Sequence, residues 1–524
     1  MDNQYSIVEY TRDHSGYRCG YCKSSNANYS HGMHAYCLTV DHYQGLIDRG
    51  WRRSGSYCYK PTMHRTCCPA YTIRCHAPSF HLSKSQKKVL KRMNNFLAHG
   101  TRKQSSESST QQHCDGGSES FPEVAVQHLE RLGSDGEEKK PQITTLLDEV
   151  PLQEERQKAS SRPPHEDQVV GSPSSLASSE SSLNASKKMK TVSPGLGADP
   201  NKPACRKARV KRLERRQAKL QRLQENDASS STASFPSSGP SSAIDARKKD
   251  KNAPKSLEDL LNESITDSPA HTLEVRLVRS SPASAGFKSS RDASYAVYQR
   301  YQTSVHGDSE DRCRHVQWKR FLVTSPLKEQ HPDAGPSSGL GSFHQQYWLD
   351  GEKLIAVAVI DILPCCVSSV YFYYDPEYSF LSLGTYSSLR ELALTRELGR
   401  EYSRLAWYYM GFYIHSCPKM RYKGHYEPSF LLCPETYSWC PLPPSVKKLD
   451  VNKYSRLVEN SSEEDTEGTN IDIDKILVLH QRRPMRYGTF RELKGADEAL
   501  DVVVREYAGL VGKTAACTMM LSLP

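Results

Sequence analysis

The stretch EKLIAVAVIDILP, at residues 352–364, decides the fold of this chain. Its aliphatic run from Leu354 to Ile360 predicts a strand that is fully buried. Three segments follow it: VSSVYFYY (367–374) predicts a neighbouring strand, SSLRELALTRELG (387–399) a helix, and RLAWYYMGFYI (404–414) another strand. This order of strand, strand, helix and strand indicates an α/β or α+β domain.

The predicted helix has an apolar face and a candidate start signal. Leu389, Leu392 and Ala393 have the i, i+3, i+4 spacing of one helix face. Ser388 and Glu391 have the spacing of a capping box. Upstream of this region, LEVRLVRS (273–280) alternates as a strand does, and SYAVYQRYQTSVH (294–306) predicts a helix.

Composition divides the 524 residues into four parts. Residues 1–98 are rich in Cys, His, Tyr and Arg and end in a basic segment, KSQKKVLKRMNNFL (84–97), with helical spacing of its apolar residues. Residues 99–256 are Ser-rich and charged, which predicts a long disordered linker. Residues 257–445 form the predicted C-terminal domain, and the acidic loop, strand and helix of 446–524 complete it.

The net charge of +10 and the pI near 8.7 favour an anionic partner such as nucleic acid, although surplus surface lysine explains them equally well. Inside the linker, the basic segment 205–226 suits RNA contact or a nuclear signal, with a solvated transient helix as the favoured interpretation. The N-terminus has no signal-peptide pattern and the longest apolar run is too short to cross a bilayer. We expect a protein of the cytoplasm and nucleus that makes no membrane contact.

Four cysteines form a candidate metal site. Cys19 and Cys22 make a C-x-x-C pair in RCGYCK, and Cys67 and Cys68 are adjacent in TCCP. Four thiolates are a ligand set for structural zinc or for an iron–sulfur cluster. The adjacent pair departs from the usual second C-x-x-C, so a redox pair or merely buried thiols remain alternatives.

Several motifs resemble one family. RCGYC, LTVDHYQGLIDRGWRRSG, TCCP, YTIRC and SKSQKKVLKRM are similar to the N-terminal domain of eukaryotic arginyl-tRNA–protein transferases. GSFHQQYWLDGEKLIAVAVIDILP, CVSSVYFYYDPEYSFLSLGTYSSLREL, YYMGFYIHSCPKMRYKG and PSFLLCPETY are similar to the C-terminal domain. The resemblance implies a GNAT-like C-terminal aminoacyltransferase domain joined to a cysteine-rich domain, whose four cysteines hold an iron–sulfur cluster or zinc.

The resemblance also implies an activity. Members move arginine from arginyl-tRNA to the α-amine of proteins that begin with Asp, Glu or oxidised Cys, which marks those proteins for ubiquitin-dependent degradation. The segment SLGTYSSLR before the central helix lacks a Gly-rich pyrophosphate loop, so acetyl-CoA is not expected as the donor. The alternatives are a zinc-containing RNA-binding adaptor without catalysis and an acetyl-CoA-dependent N-acetyltransferase.

Such a reaction needs a carboxylate for the donor guanidinium, and cationic or polar groups for the acceptor and for proton transfer. Asp361, Asp375 and Glu391 are the candidates for the guanidinium. The structural alternatives are a strand end, a turn before Pro376 and a helix cap, respectively. The predicted catalytic set, which contains these three carboxylates, is His344, Asp361, Asp375, Glu391, Arg390 and His415.

A second predicted set binds the substrate protein and tRNA, and a lone histidine in either set is more often structural. Tyrosines, among them Tyr408, serve as hydrogen-bond donors, and basic residues interleaved with Tyr or Met suit phosphates and bases. The predicted substrate- and tRNA-binding residues are His306, Tyr347, Tyr374, Tyr413, Lys419, Arg421, Lys88, Lys91 and Arg92.

Overall fold

Two β-sheets carry the fold of the computed structural model, which describes residues 5–13, 16–100 and 255–524. These residues belong to one compact unit. Residues 101–254 of the predicted linker, including its basic segment, lie outside the described residues, whereas residues 99–100 and 255–256 are described.

The strands are distributed over a seven-stranded sheet of order β14-β13-β15-β1-β2-β4-β3 and an eight-stranded sheet of order β12-β11-β5-β10-β9-β8-β7-β6. Their bounds are β1 Ile7–Asp13, β2 Ser30–Cys37, β3 Arg52–Ser54, β4 Tyr57–Pro61, β5 Tyr71–His76, β6 Leu273–Ser281, β7 Gly341–Leu349, β8 Lys353–Ile362, β9 Cys366–Tyr374, β10 Trp407–Tyr413, β11 Ser429–Leu432, β12 Trp439–Pro441, β13 Leu477–His480, β14 Arg483–Arg486 and β15 Met520–Ser522.

Helices cover the sheets and fill their connections. Their bounds are α1 Val40–Ile47, α2 Lys84–His99, α3 Leu257–Leu261, α4 Ala285–Tyr301, α5 His315–Trp318, α6 Leu383–Glu401, α7 Pro418–Arg421, α8 Leu442–Val451, α9 Tyr487–Lys494, α10 Glu498–Val511 and α11 Lys513–Thr518. Among the described residues, none of the helices is both long and apolar enough to span a membrane.

The central prediction is confirmed: the described residues have mixed α and β structure, with β8 at the heart of the larger sheet. From Leu354 to Ile360 the side chains of β8 are at most 3% exposed. The strand pairs antiparallel with β7 and with β9, so its polar backbone groups are satisfied on both sides. The buried run therefore behaves as its composition predicts.

The predicted helix start was wrong. Helix α6 begins at Leu383, after Ser382 with φ 55°, and not near Ser388. The hydroxyl of Ser388 donates to the Gly384 carbonyl within the helix at 3.1 Å, so it does not cap it. Glu391 instead accepts hydrogen bonds from the hydroxyl groups of Ser387 and Tyr408, so it forms no capping box with Ser388.

The other local predictions are confirmed, with shifted ends. The alternating segment forms β6 at the edge of the larger sheet. The predicted helix over 294–306 is α4, which begins earlier at Ala285 and continues through a π-helical turn at Gln302–His306. The basic segment forms α2, which begins with a capping box between Ser83 and Gln86.

Segments from both ends of the chain contribute to both sheets. Strand β5 lies in the larger sheet, where it pairs with β10 and β11. Strand β15 inserts in the smaller sheet between β1 and β13, parallel to each. The early and late parts of the sequence therefore fold together, while the exact domain boundaries stay a prediction.

An opening in the larger sheet results from the geometry of β10. Strands β9 and β10 run parallel, whereas the other neighbouring pairs in this sheet are antiparallel. Their register ends where Tyr409 faces Ser368, although both strands continue. Gly411, with φ 72°, lies where the register between β10 and β5 is interrupted. This bulge turns β10 away from β9.

A buried ion pair joins β3 to β8. The Arg53 guanidinium donates from Nε to Oδ2 of Asp361 at 2.8 Å and from Nη2 to Oδ1 at 2.6 Å. The Ser342 hydroxyl donates to Oδ1 at 2.7 Å. The two charged side chains are 3% and 0% exposed, so each depends on the other for charge compensation.

We expect Arg53→Met to lower the free energy of unfolding by about 3–5 kcal/mol, because Asp361 is left as an uncompensated buried charge. The matched control is Lys353→Met, which removes the lysine of the exposed pair with Glu377 and should cost less than about 1 kcal/mol. Chemical denaturation of both variants measures the difference. Equal, small losses would contradict a structural role for the buried pair.

Candidate functional site

Two pockets share Ser369, Val370 and Tyr371 of β9, which lie just beyond the end of its pairing with β10. We call the first the α6 pocket, because Gly384, Ser387, Ser388 and Glu391 of that helix line it together with Phe372, Tyr408, Met410, Tyr422, Lys423 and Tyr426. We call the second the β3 pocket, because it is lined by Arg52, Arg53 and Ser54, with Tyr43, Tyr59, Phe321 and Ser368. The same segment of β9 thus borders two chemically different pockets.

Glu391 is the acidic residue of the α6 pocket, and it is 1% exposed. Its Oε1 accepts a hydrogen bond from Ser387 at 2.8 Å, and its Oε2 accepts one from Tyr408 at 3.0 Å. Burial raises the pKa of Glu391 to about 7, against the lowering effect of these hydroxyl groups. The carboxyl group thus changes charge near neutral pH.

Tyr347 extends this network from β7. Its hydroxyl lies 2.8 Å from Oε1 of Gln345 and 3.2 Å from Oγ of Ser387. The structure therefore brings together three residues that the sequence singled out separately, namely Tyr347, Glu391 and Tyr408. The Ser369 hydroxyl of β9 also bonds to the Glu391 carboxylate.

The other two candidate carboxylates each have an arginine of their own. Asp361 is bound by Arg53, as described above, and it ends β8 as the structural alternative foresaw. Asp375 pairs with Arg300 at 3.0 Å and accepts from the backbone N–H of Glu377 at 3.2 Å, at the start of a 3-10 turn. A second guanidinium would have to displace these partners.

The candidate histidines lie apart from the two pocket linings. His344 is fully buried beside the Leu322 carbonyl at 2.9 Å, and burial lowers its pKa to about 4. Burial also lowers the pKa of His306, whose ring lies 5.3 Å from that of Tyr301. His415 bonds to Tyr413 at 2.8 Å and to Asp450 at 2.9 Å. These contacts are those of structural histidines.

The remaining candidates are not among the residues that line the two pockets. Arg390 donates to the Tyr386 hydroxyl at 2.9 Å, and Tyr374 packs on Tyr301 at 4.9 Å between ring centroids. Arg92 donates to Oγ of Ser382 at 2.7 Å, immediately before α6. The exposed cationic residues are Lys88, Lys91 and Arg92 on α2 and Lys419 and Arg421 on α7.

Arg52 and Ser54 are pocket residues that the sequence analysis missed. They are 6% and 3% exposed, and the Nε of Arg52 and the Oγ of Ser54 have no hydrogen-bond partner within the described residues. The adjacent arginines in GWRRSG were the available signal, because two successive cations on a short buried strand each need an anionic or polar partner. Only the second of them, Arg53, finds a carboxylate among the described residues.

The four predicted metal ligands converge. The Sγ atoms of Cys19, Cys22, Cys67 and Cys68 all lie within 4.8 Å of one another, so they can hold a metal. A turn at Cys19 and the bond from the Cys67 N–H to the Ala27 carbonyl, at 2.9 Å, fix their positions.

The electrostatics of this thiol group suit a cation. A hydrogen bond with Ser24 lowers the pKa of Cys22 to about 6, whereas burial and neighbouring thiols raise that of Cys68 to about 12. Four thiolates this close repel one another unless a cation compensates them. Cys19 and Cys68 belong to the same buried apolar cluster as Tyr59, Met420 and Phe412 of β10.

Comparisons with known proteins agree on one family. A model described as arginine-tRNA-protein transferase, N terminus, matches residues 17–88, and one for the C terminus of the same enzymes matches residues 293–433. The first range contains the four cysteines, and the second contains β9, α6 and β10.

Individual relatives extend the match over the chain. Arginyl-tRNA–protein transferase 1 of Drosophila melanogaster is 43% identical over 525 residues, which cover 98% of this chain and 99% of the relative. Arginyl-tRNA–protein transferase 2 of Arabidopsis thaliana is 36% identical over an alignment that covers 84% of this chain and 76% of the relative's length. An aspartate/glutamate leucyltransferase of Chromobacterium violaceum is 36% identical over 26% of this chain and 50% of its own.

We expect Cys19→Ser and Cys68→Ser to lower the metal or iron content of the purified protein substantially, because each removes one of four thiolate ligands. Cys37→Ser is the matched control, since Cys37 is equally buried but lies in a different apolar cluster. Elemental analysis of anaerobically purified protein measures the change. Unchanged content in both ligand variants would show that the four thiols do not hold a metal.

Proposed function

The chain belongs to the arginyl-tRNA–protein transferase family, and we propose that it moves arginine from arginyl-tRNA to the N-terminal α-amine of proteins that begin with Asp, Glu or oxidised Cys. The products enter ubiquitin-dependent degradation in the cytoplasm and nucleus. The observation that carries this proposal is the match to a transferase of the family over 98% of the chain.

The reaction exchanges one bond to the arginyl carbonyl carbon for another. The α-amine nitrogen forms a bond to this carbon, and the ester bond to the tRNA ribose breaks. The amine loses a proton, and the ribose oxygen gains one. Because the α-amine has an unperturbed pKa of about 7.7 to 8.0, a useful neutral fraction exists near pH 7. The protein then acts mainly by holding the two reactants in contact.

The opening between β9 and β10 supports a GNAT-like architecture for this transferase. In such a fold, two parallel strands joined by a helix diverge and bind the donor in the gap; β9, α6 and β10 have this order and this divergence. The helix is preceded by SLGTYSSLR without a Gly-rich loop, which favours an aminoacyl-tRNA donor over acetyl-CoA. We therefore place the transfer reaction at the gap.

Glu391 is our choice for the donor guanidinium. Asp361 and Asp375 have arginines of their own, whereas Glu391 bonds to the neutral hydroxyls of Ser387, Ser369 and Tyr408. Lys423 also lines the α6 pocket, but burial and three hydroxyl groups set the pKa of Glu391. A bound guanidinium would ionise Glu391 and compensate its charge.

The cysteine group would hold zinc or an iron–sulfur cluster. A single tetrahedral zinc with bonds of about 2.3 Å places its sulfur ligands about 3.8 Å apart, which the observed spacing of up to 4.8 Å accommodates. A bound metal would cross-link the two loops, and through Phe412 it would stabilise the end of β10. The exposed cations of α2 and α7 provide a surface for the tRNA phosphates.

The test of this proposal uses tRNA charged with arginine or with citrulline, its neutral isostere, and a peptide that begins with Asp. We expect the wild type to prefer arginyl-tRNA, and Glu391→Gln to lower kcat/KM for arginyl-tRNA by roughly 10²-fold while citrulline transfer changes little. Asp48→Asn is the matched control, because Asp48 is another buried carboxylate bound by a tyrosine, and it should keep the preference.

The same assay has a pH dependence with a defined sign. The guanidinium binds the carboxylate form of Glu391, so KM for arginyl-tRNA should rise below pH 7 and level off above it, and Glu391→Gln should remove this dependence. Equal losses with both charged tRNAs would contradict the guanidinium role of Glu391. The absence of tRNA-dependent transfer by the wild type would contradict the proposed function itself.

A further inference from the structure

We propose that the β3 pocket is the binding site for the acidic side chain of the acceptor's first residue, with Arg52 and Ser54 as its ligands. This inference rests on the proposed function and specifies how that function selects its protein substrates. It starts from two buried polar atoms, Nε of Arg52 and Oγ of Ser54, that make no hydrogen bond within the described residues.

Arg52 is a buried cation without a carboxylate partner among the described residues. Its Nη1 donates to the Trp51 carbonyl at 2.8 Å and its Nη2 to the Gly411 carbonyl at 3.4 Å, and Nε has no acceptor. The Phe412 ring lies 5.4 Å from its Cζ. A buried guanidinium bound only to neutral groups lacks charge compensation, which an anionic ligand would supply.

The charged residues around Arg52 are engaged with other partners, so compensation of its positive charge is left to a ligand. Arg53 is matched by Asp361 and so contributes no net charge with it. Asp48 interacts electrostatically with Arg52, but its carboxylate accepts hydrogen bonds from Tyr409 and Gln44. Burial raises the pKa of Asp48, because desolvation disfavours the charged carboxylate.

Ser54 makes the pocket suitable for a carboxylate. Its hydroxyl is 3% exposed and unpartnered within the described residues, and it lines the same pocket as Arg52. A carboxylate accepts several hydrogen bonds at once and would use the Nε–H and the hydroxyl together. Replacement of the carboxylate by an amide would lose the charge and present N–H groups to these donors.

The position of the pocket matches the geometry of the reaction. The donor guanidinium and the acceptor carboxylate have opposite charges, so they need separate sites of opposite charge. The α6 pocket contains Glu391 and the β3 pocket contains Arg52, and both border the same residues of β9, 369–371. The α-amine of the acceptor and the ester carbonyl of arginyl-tRNA would then meet beside the residues of β9 that the two pockets share.

The experiment compares otherwise identical peptides that begin with Asp or Asn, using the full chain and arginyl-tRNA. We expect Arg52→Met to lower kcat/KM for the Asp peptide by roughly 10²-fold and to abolish the preference for Asp over Asn. The matched control is Arg74→Met, because Arg74 is a partly buried arginine of the larger sheet, held between Trp407 and Trp439. This control should keep the preference.

Arg52→Met also removes the hydrogen bond to Gly411 and could unfold β10. In that case Ser54→Ala still tests the proposal. Since the Ser54 hydroxyl has no partner, its removal should leave stability unchanged and lower the Asp preference by roughly fivefold. Preserved Asp preference in Ser54→Ala together with preserved preference in any folded Arg52 variant would overturn the proposal.

Direct peptide binding separates this inference from the proposed function. Calorimetric titration of the Asp and Asn peptides into the wild type and both variants needs no charged tRNA. Selective binding of the Asp peptide that is lost in Arg52→Met and weakened in Ser54→Ala supports the subsite even where arginine transfer fails. Equal binding of both peptides by the wild type overturns the subsite, whether or not transfer occurs.

Discussion

The structure depends on the loss of pairing between two parallel strands in the middle of a sheet. Such a gap leaves backbone groups without their ladder partners, and the protein must satisfy or shield them. Gly411 adopts a positive φ at the bulge, a conformation that a residue with a Cβ rarely takes. Its carbonyl accepts a hydrogen bond from Arg52, so the residue proposed to read the acceptor also supports the strand that opens the site.

Two further features stabilise the strands near the opening between β9 and β10. The buried ion pair between Arg53 and Asp361 fixes β3 against β8. It thereby also holds Arg52, the adjacent residue of β3, in place. Cys19 and Cys68 of the metal-ligand group lie in the same buried apolar cluster as Phe412 at the end of β10. A bound metal would therefore act on the transfer site through the position of a strand, without contact with the reacting atoms.

The sequence predicted the elements of the fold better than their use. The buried run of β8 and the apolar spacing of α6 are local patterns, and the four cysteines form a recognisable ligand set, so these features were predictable. The capping interpretation of Ser388 and Glu391 failed because local spacing cannot show that Glu391, inside helix α6, faces Tyr408 of β10. Likewise, the partner of Arg53 lies 308 positions away in the chain, and only the fold shows that Nε of Arg52 makes no hydrogen bond within the described residues.

The most direct test of this account is a structure of the chain bound to tRNA that carries arginine through a non-hydrolysable amide link. The account predicts that the guanidinium lies within about 3 Å of the Glu391 carboxylate, with the arginyl carbonyl in the gap between β9 and β10. An arginyl group bound away from this gap, or with its guanidinium on another carboxylate, would contradict it.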